Sequence, residues 1–290
     1  MSAPSLAGRL PAPTHRRRKL SITTPVIYFV ALVLVGLILV PVAYVILGGF
    51  RSNSEITVDP SGFPTTWQVG HYIDVLSSEV FWRELSNSAI AAVTTTFFVV
   101  GLGLMASFVL ARYQFRGRGA IYGLFAAGLM FPIAVAITPL YILVRAFGLT
   151  NSLAGVIIPQ IAFALPVTII ILVPFLQAIP NELQEAAEID GCSRIGFFWR
   201  MVIPLSTPGV ITVGILAFVA SWNSYILPLF ILNGEASYTI PLGVQAFASQ
   251  YSVDTAKVLA FTSLSMLPAL VFFSLFERRI VGGLTGAVKG

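Results

Sequence analysis

Charge is scarce in this 290-residue chain. Asp, Glu, Lys and Arg together make up 10% of it, against about 25% in a soluble domain. That deficit excludes an ordinary soluble enzyme, a disordered protein and a nucleic-acid-binding domain. Cysteine is rarer still: one residue, Cys192, rules out an internal disulfide and a multi-cysteine metal site. The two histidines, His15 and His71, stand far apart and offer no metal cluster. No metal and no cofactor are therefore expected. The phosphate-cradling pattern G-x-x-x-x-G-K-[ST] is missing as well, so no ATP hydrolysis is expected of this chain. Internal repeats and low-complexity segments are also lacking.

What fills the chain instead is apolar surface, 57% of its residues. A bilayer core needs roughly 20 apolar residues in a helix, and six runs meet or approach that length: Val26–Leu47, Ala89–Ala111, Ala120–Val144, Leu153–Leu176, Gly209–Leu232 and Val258–Phe276. None contains Asp, Glu, Lys, Arg or His. Lipid cannot satisfy a free backbone, and the runs are too long for barrel strands, so they read as helices. The class expected is all-α, a polytopic membrane protein with six transmembrane helices. The first run, at about 22 residues, exceeds the 7–15 of a signal-peptide core and is followed by no small-residue cleavage site, so it reads as an uncleaved anchor.

The charges collect between the runs. Thirteen basic residues fall in the N-terminal tail, the 112–119 and 177–205 loops and the C-terminal tail, and four (Arg51, Arg83, Arg145, Lys257) fall on the other side. The positive-inside rule puts the richer side, with both termini, in the cytoplasm. The basic run His15–Lys19 is then a topology anchor against anionic lipid, not a nucleic-acid site. The chain divides into a tail over 1–24, a six-span domain over 25–276 and a tail over 277–290. Outside the membrane lie a Pro- and Gly-containing loop over 48–85 and a polar segment over 233–255. Besides Pro41 in the first run, prolines fall inside four later runs (Pro132 and Pro139; Pro159, Pro166 and Pro174; Pro228; Pro268). They read either as fixed shape or as broken helices along a path. Gly101 and Gly103 offer close helix packing, with sliding as the functional alternative.

The cytoplasmic loop 177–205 carries the most information. Asn181 suits a helix N-cap, and Glu182 suits the positive end of the helix dipole. Gly191 supplies the left-handed residue that would end the helix near Asp190. Ser193 then caps a second short helix expected to stop before Pro204. Ala186-Ala187 leaves a shallow surface flanked by Glu185, Glu188 and Asp190, which a partner's groove can grip; a plain amphipathic linker is the alternative.

The run Glu185-Ala186-Ala187-Glu188-Ile189-Asp190-Gly191, followed by Phe198 and Ile203-Pro204-Leu205, resembles the EAA motif of ABC-importer permeases. The family commonly has Ala where Cys192 stands. Trp222-Asn223 with Pro228 is similar to a segment of the carbohydrate permeases. The end, from Arg278 to Gly290, is similar to the tail of MalG-type subunits of maltose and oligosaccharide importers, less one small residue after Thr285. The resemblance implies a type-I ABC-importer transmembrane domain. It implies a permease subunit that couples closure of an ATPase to alternating access for a di- or oligosaccharide. Glu185, Ala186, Ala187, Asp190, Gly191 and Pro204 would be the ATPase-coupling residues. The partners it implies are a second, different permease, two ATPase subunits and an extracytoplasmic sugar-binding protein, besides membrane lipid.

Spans without a cation argue against a strongly anionic solute. The polar groups available for a path are Thr94, Thr95, Thr96, Gln160, Ser221, Trp222, Asn223, Ser224 and Tyr225. Trp222, Asn223 and Tyr225 are the favoured ones, because sugars bind by aromatic stacking plus hydrogen bonds; helix packing is the alternative. An ABC permease for a non-sugar solute, and an ATP-independent channel or scaffold, are the rival functions.

Overall fold

The computed structural model describes the backbone of residues 23–250 and 254–287, with side chains over 25–245, 247–250 and 254–274. The basic run His15–Lys19 and the side chains of the 278–290 motif lie outside the described residues. Every regular element described is helical. The chain divides into two units, residues 1–44 and 45–290. The first holds most of α1 (Thr23–Gly48), an uncharged helix with Pro41 inside it.

The second unit contains α2 (Asn53–Val58), α3 (Gly70–Leu76), α4 (Glu79–Arg112), α5 (Arg118–Gly128), α6 (Ile133–Ala146) and α7 (Leu153–Gln177). After these come α8 (Asn181–Ile189), α9 (Arg194–Phe197), α10 (Ile203–Leu205), α11 (Thr207–Trp222), α12 (Ile226–Ile231), α13 (Ile240–Gln250) and α14 (Thr255–Ala287). Helices α1, α4, α7 and α14 are long and apolar enough to cross a membrane singly. Six spans are reached when two bent pairs are counted: α5 with α6, at 101°, and Arg194–Leu205 with α11, at 76°.

The breaks are where the structure departs from the apolar runs. The third run, Ala120–Val144, is interrupted at 129–132, where Pro132 is extended (φ −75°, ψ 129°) and caps α6. A proline starts a helix readily but pushes the residue before it out of the helical region. The fifth run, Gly209–Leu232, stops at Trp222 and resumes at Ile226. Trp222 and Asn223 therefore do not sit midway along a helix, and Pro228 lies in the first turn of α12, where it disrupts little. By contrast α7 continues through Pro159, Pro166 and Pro174, each costing only one backbone bond. At the other ends, α4 starts at Glu79, ahead of Ala89, and α14 runs past Phe276 to Ala287. Apolar runs mark membrane thickness, whereas helices continue until a cap or a proline stops them.

The core forms where α4 lies along α7, with α11 against both and against α14. A Cβ on Gly103 would sit 2.4 Å from the Thr168 methyl of α7, so this glycine sets how closely the two helices approach. Gly101 meets nothing within 4 Å and has no such role. At the far end of α4, Asn87 donates to the carbonyls of Ala236 and Tyr238, and Ser88 accepts from the Ile240 N–H at 2.7 Å, which fixes the start of α13.

The loop after α1 is built around Arg51. Its guanidinium is buried and donates to the carbonyls of Glu55 (2.7 Å), Asp59 (2.5 Å) and Pro60 (3.2 Å). Ser52 and Glu55 form a reciprocal capping box at α2. The Glu55 carboxyl is held down to about 2, chiefly by the Thr65 hydroxyl and the Ser52 N–H. Hydrogen bonds from a charged donor contribute about 1.5–3 kcal/mol each. Arg51→Met should therefore open the 52–66 segment, the short α2 included, without disturbing the long apolar helices. Limited proteolysis should show faster cleavage near exposed Phe63, with an unchanged helical circular-dichroism signal.

Candidate functional site

Two places gather polar chemistry on this apolar frame. The first is the turn between α8 and α9. Pro180, not Asn181, occupies the N-cap, and Asn181 is the first helical residue. Asp190 is the C-cap, and Gly191 follows at φ 74°, a left-handed conformation that glycine adopts without strain. The Cys192 N–H bonds the Ala187 carbonyl (2.8 Å) and the Gly191 N–H bonds the Glu188 carbonyl (3.1 Å), which completes a Schellman cap. Ser193 caps α9 through the Gly196 N–H at 3.1 Å. The second helix does not stop before Pro204. It continues through a π-helical turn (Phe198–Val202) into α10, where Pro204 stands exposed on the segment returning to the core. One widened turn leaves room for a proline ring further on.

The two alanines of the turn face different ways. Ala187 is buried in a cluster with Leu104, Phe108, Leu176, Phe197 and Val202. Ala186 is exposed, together with Glu185, Glu188 and Asp190. The outward face thus sets small Ala186 among Glu185, Glu188 and Asp190, with Glu182 and the apolar Ile189 exposed beside them. Arg112, the last residue of α4, pins this face to the core. It donates to the Ile179 carbonyl (2.6 Å), the Pro180 carbonyl (3.4 Å) and Gln184 Oε1 (3.1 Å), and lies over the Phe197 ring at 5.9 Å. In the sequence Arg112 is only one of the loop cations, and no motif marks it.

The second place is a cavity of about 370 Å³ between α4, α6, α7 and α11. Its walls are mostly apolar, with Phe163, Val167 and Leu216 among them, and its polar groups are few: Thr95, Gln160, Thr168, Ser221 and Ser224. Gln160 Oε1 accepts from Thr95 Oγ at 3.1 Å and from Ser221 Oγ at 2.6 Å. That fixes the amide, leaving its NH₂ as a donor with no partner among the described residues. Ile133 opens α6 just after one helix break and Ser224 lies in the other, so the cavity sits where two spans are interrupted. Backbone breaks at membrane depth are tolerated where they are buried in protein or line a cavity.

The favoured path residues take other positions. Trp222 is buried beside Phe218 and Ala92. With Asn223 it lines a smaller hollow of about 270 Å³ against α13 and α14. Tyr225 donates its hydroxyl to Gln245 of α13. Of the nine polar candidates, the cavity brings together Thr95, Gln160, Ser221 and Ser224, and leaves the aromatic ones outside its walls. Among the described residues no group of His, Cys, Asp and Glu could hold a metal.

Comparison with known proteins agrees with this architecture. Residues 99–281 match the family described as the binding-protein-dependent transport system inner membrane component. The chain is 33% identical over 251 residues to the diacetylchitobiose uptake system permease protein NgcG of Streptomyces coelicolor, covering 86% of this chain and 83% of that protein. It is 35% identical over 259 residues to the trehalose transport system permease protein SugB of Mycobacterium tuberculosis, covering 88% and 94%. The fold superposes with a TM-score of 0.74 on a chain of a bacterial ABC transporter involved in alginate import, at 21% identity, covering 90% of this chain and 98% of that one. With most of its length matched in sequence and in fold, this multi-pass membrane chain belongs to the inner-membrane permease components of binding-protein-dependent ABC transport systems.

Proposed function

We propose that the chain is the permease subunit of an ABC importer for a di- or oligosaccharide, and that α8 is its coupling helix. The exposed face formed by Glu185, Ala186, Glu188 and Asp190, held out from the core by a Schellman cap and by Arg112, carries the reading. A small residue among carboxylates, on a rigid short helix, suits insertion into a groove of a separate ATPase subunit. Ala187 and Gly191 set the helix and its end; Pro204 belongs to the segment transmitting its movement to α11. The sugar reading rests on relatives named for diacetylchitobiose and trehalose uptake and on membrane runs without a cation. Two ATPase subunits, a second permease and an extracytoplasmic sugar-binding protein complete the assembly. The excess of basic residues in the 112–119 and 177–205 loops and both tails supports a cytoplasmic position for those segments.

The test is Gly191→Val in the assembled transporter. A β-branched residue at φ 74° is strained by roughly 1–3 kcal/mol, and the cap should unwind. Uptake of a labelled disaccharide and ATP hydrolysis stimulated by the loaded binding protein should fall together, while membrane insertion is unchanged. Wild-type uptake in this variant would remove α8 from the coupling role.

A further inference from the structure

We propose that an anionic phospholipid binds in the groove between the end of α4 and α9, its acyl chain in the groove and its phosphate on Arg194. The groove encloses about 330 Å³ and is lined by Met105, Phe108 and Val109 of α4 and by Ile195, Phe198 and Trp199. Arg194 is its one polar lining residue. Met105 and Val109 belong to the apolar run of α4, so the groove reaches into membrane depth. Ile195 and Trp199 are exposed at its other wall, Trp199 at 59%.

The charge at the mouth selects the occupant. The stem of Arg194 completes the apolar wall, and its guanidinium lies over the Tyr113 ring at 5.3 Å. Long cationic side chains adopt this posture at the membrane boundary, with the stem in lipid and the head in the polar layer. Among the described residues no carboxylate lies within ion-pair distance of it. Arg200 adds a second cation one residue beyond Trp199, and both Trp and Arg suit the headgroup layer. A protein partner would have to meet a fully apolar groove ending at a cation, whereas one phospholipid presents both parts at the required spacing. An anionic headgroup beside a basic residue at the surface gains enough to bias occupancy roughly fivefold. Because the groove is walled by α9, lipid held there would brace the turn that carries α8.

The test uses the assembled transporter in nanodiscs of phosphatidylcholine, doped with dibrominated phosphatidylglycerol or with dibrominated phosphatidylcholine. The Trp199 signal is the fluorescence difference between wild type and Trp199→Phe. The expected result is quenching of that signal with an apparent preference of roughly fivefold for the brominated anionic lipid. Arg194→Gln should abolish the preference and Arg194→Lys should retain part of it, each in complexes that co-purify with their partners. Arg194→Lys also guards against a misfolded glutamine variant. Equal quenching by the two lipids, or a preference that survives Arg194→Gln in assembled complex, would overturn the proposal. No quenching by either lipid would also overturn it, since a protein subunit would then cover the groove.

Discussion

Arg112→Ala is expected to lower sugar uptake by the assembled transporter about tenfold or more, with the chain still inserted and still associated with its partner subunits. The side chain hydrogen-bonds the end of α4 both to the carbonyls closing α7 and to the side chain of Gln184 on α8. Each hydrogen bond from its charged fork contributes about 1.5–3 kcal/mol, and 1.4 kcal/mol is already tenfold. Alanine removes all three at once, and the cation above Phe197 with them. The α8 helix keeps its own caps and its buried Ala187, so it stays folded but is no longer rigidly tied to α4. Work done on α8 by an ATPase would then dissipate in the hinge. The diagnostic readout is the ratio of ATP hydrolysed to sugar moved, which should rise in Arg112→Ala. Arg112→Lys should fall between the two, because one ammonium cannot reproduce the planar fork that spans two carbonyls and an amide. An unchanged ratio with unchanged uptake would show that α8 is held by its apolar contacts alone.

That arginine illustrates which parts of the protein could be read from its sequence. The six membrane runs were legible because twenty uncharged apolar residues have one stable state in lipid. The end of α8 was legible because a single glycine after a helical stretch is itself the signal for a left-handed cap. Arg112 was not, because its partners lie about seventy residues away in sequence and two of them are backbone carbonyls, which leave no trace in residue type. The helix breaks were equally hidden. Of the prolines in the runs, Pro132 stands at a break while the three in α7 do not, since a proline removes one bond and the packing around it decides whether the helix bends. The cavity lay between these cases. Thr95, Gln160 and Ser221 were visible as rare polar groups, but on three different helices. Adjacent residues point about 100° apart on a helix, and α11 is apolar nearly all round, so nothing in its pattern showed that Ser221 faces Gln160 while Trp222 faces α14.

Filling the cavity should stop transport while leaving the energy supply running. Ala220 lies on α11 one residue before Ser221 and lines the cavity. Ala220→Trp would place an indole across it, beside the break at 223–225. Uptake of a labelled disaccharide is expected to fall to background. ATP hydrolysis stimulated by the loaded binding protein should persist, because neither α8 nor Arg112 is touched. This pairing separates a blocked path from an unwound α8 cap, as in Gly191→Val, where both activities fall, and from Arg112→Ala, which retains part of its uptake. Phe230, exposed on α12 and outside the cavity walls, supplies the control: Phe230→Trp should leave both unchanged. Gln160→Leu is the finer probe. It keeps the volume and removes the fixed NH₂ donor, and the hydroxyls of Thr95 and Ser221 can turn to the carbonyls one helical turn behind them, as Thr168 does at 2.9 Å. Its cost to folding should therefore be small. A neutral hydrogen bond is worth on the order of 1 kcal/mol, so uptake should slow severalfold and unequally for two sugars that differ in where they offer an acceptor. Asn223→Ala, in the hollow against α13 and α14, gives the rival location its own trial. If Ala220→Trp transports at the wild-type rate while Asn223→Ala discriminates between the sugars, the path runs beside Trp222 and the 370 Å³ cavity is a packing space between α4, α7 and α11.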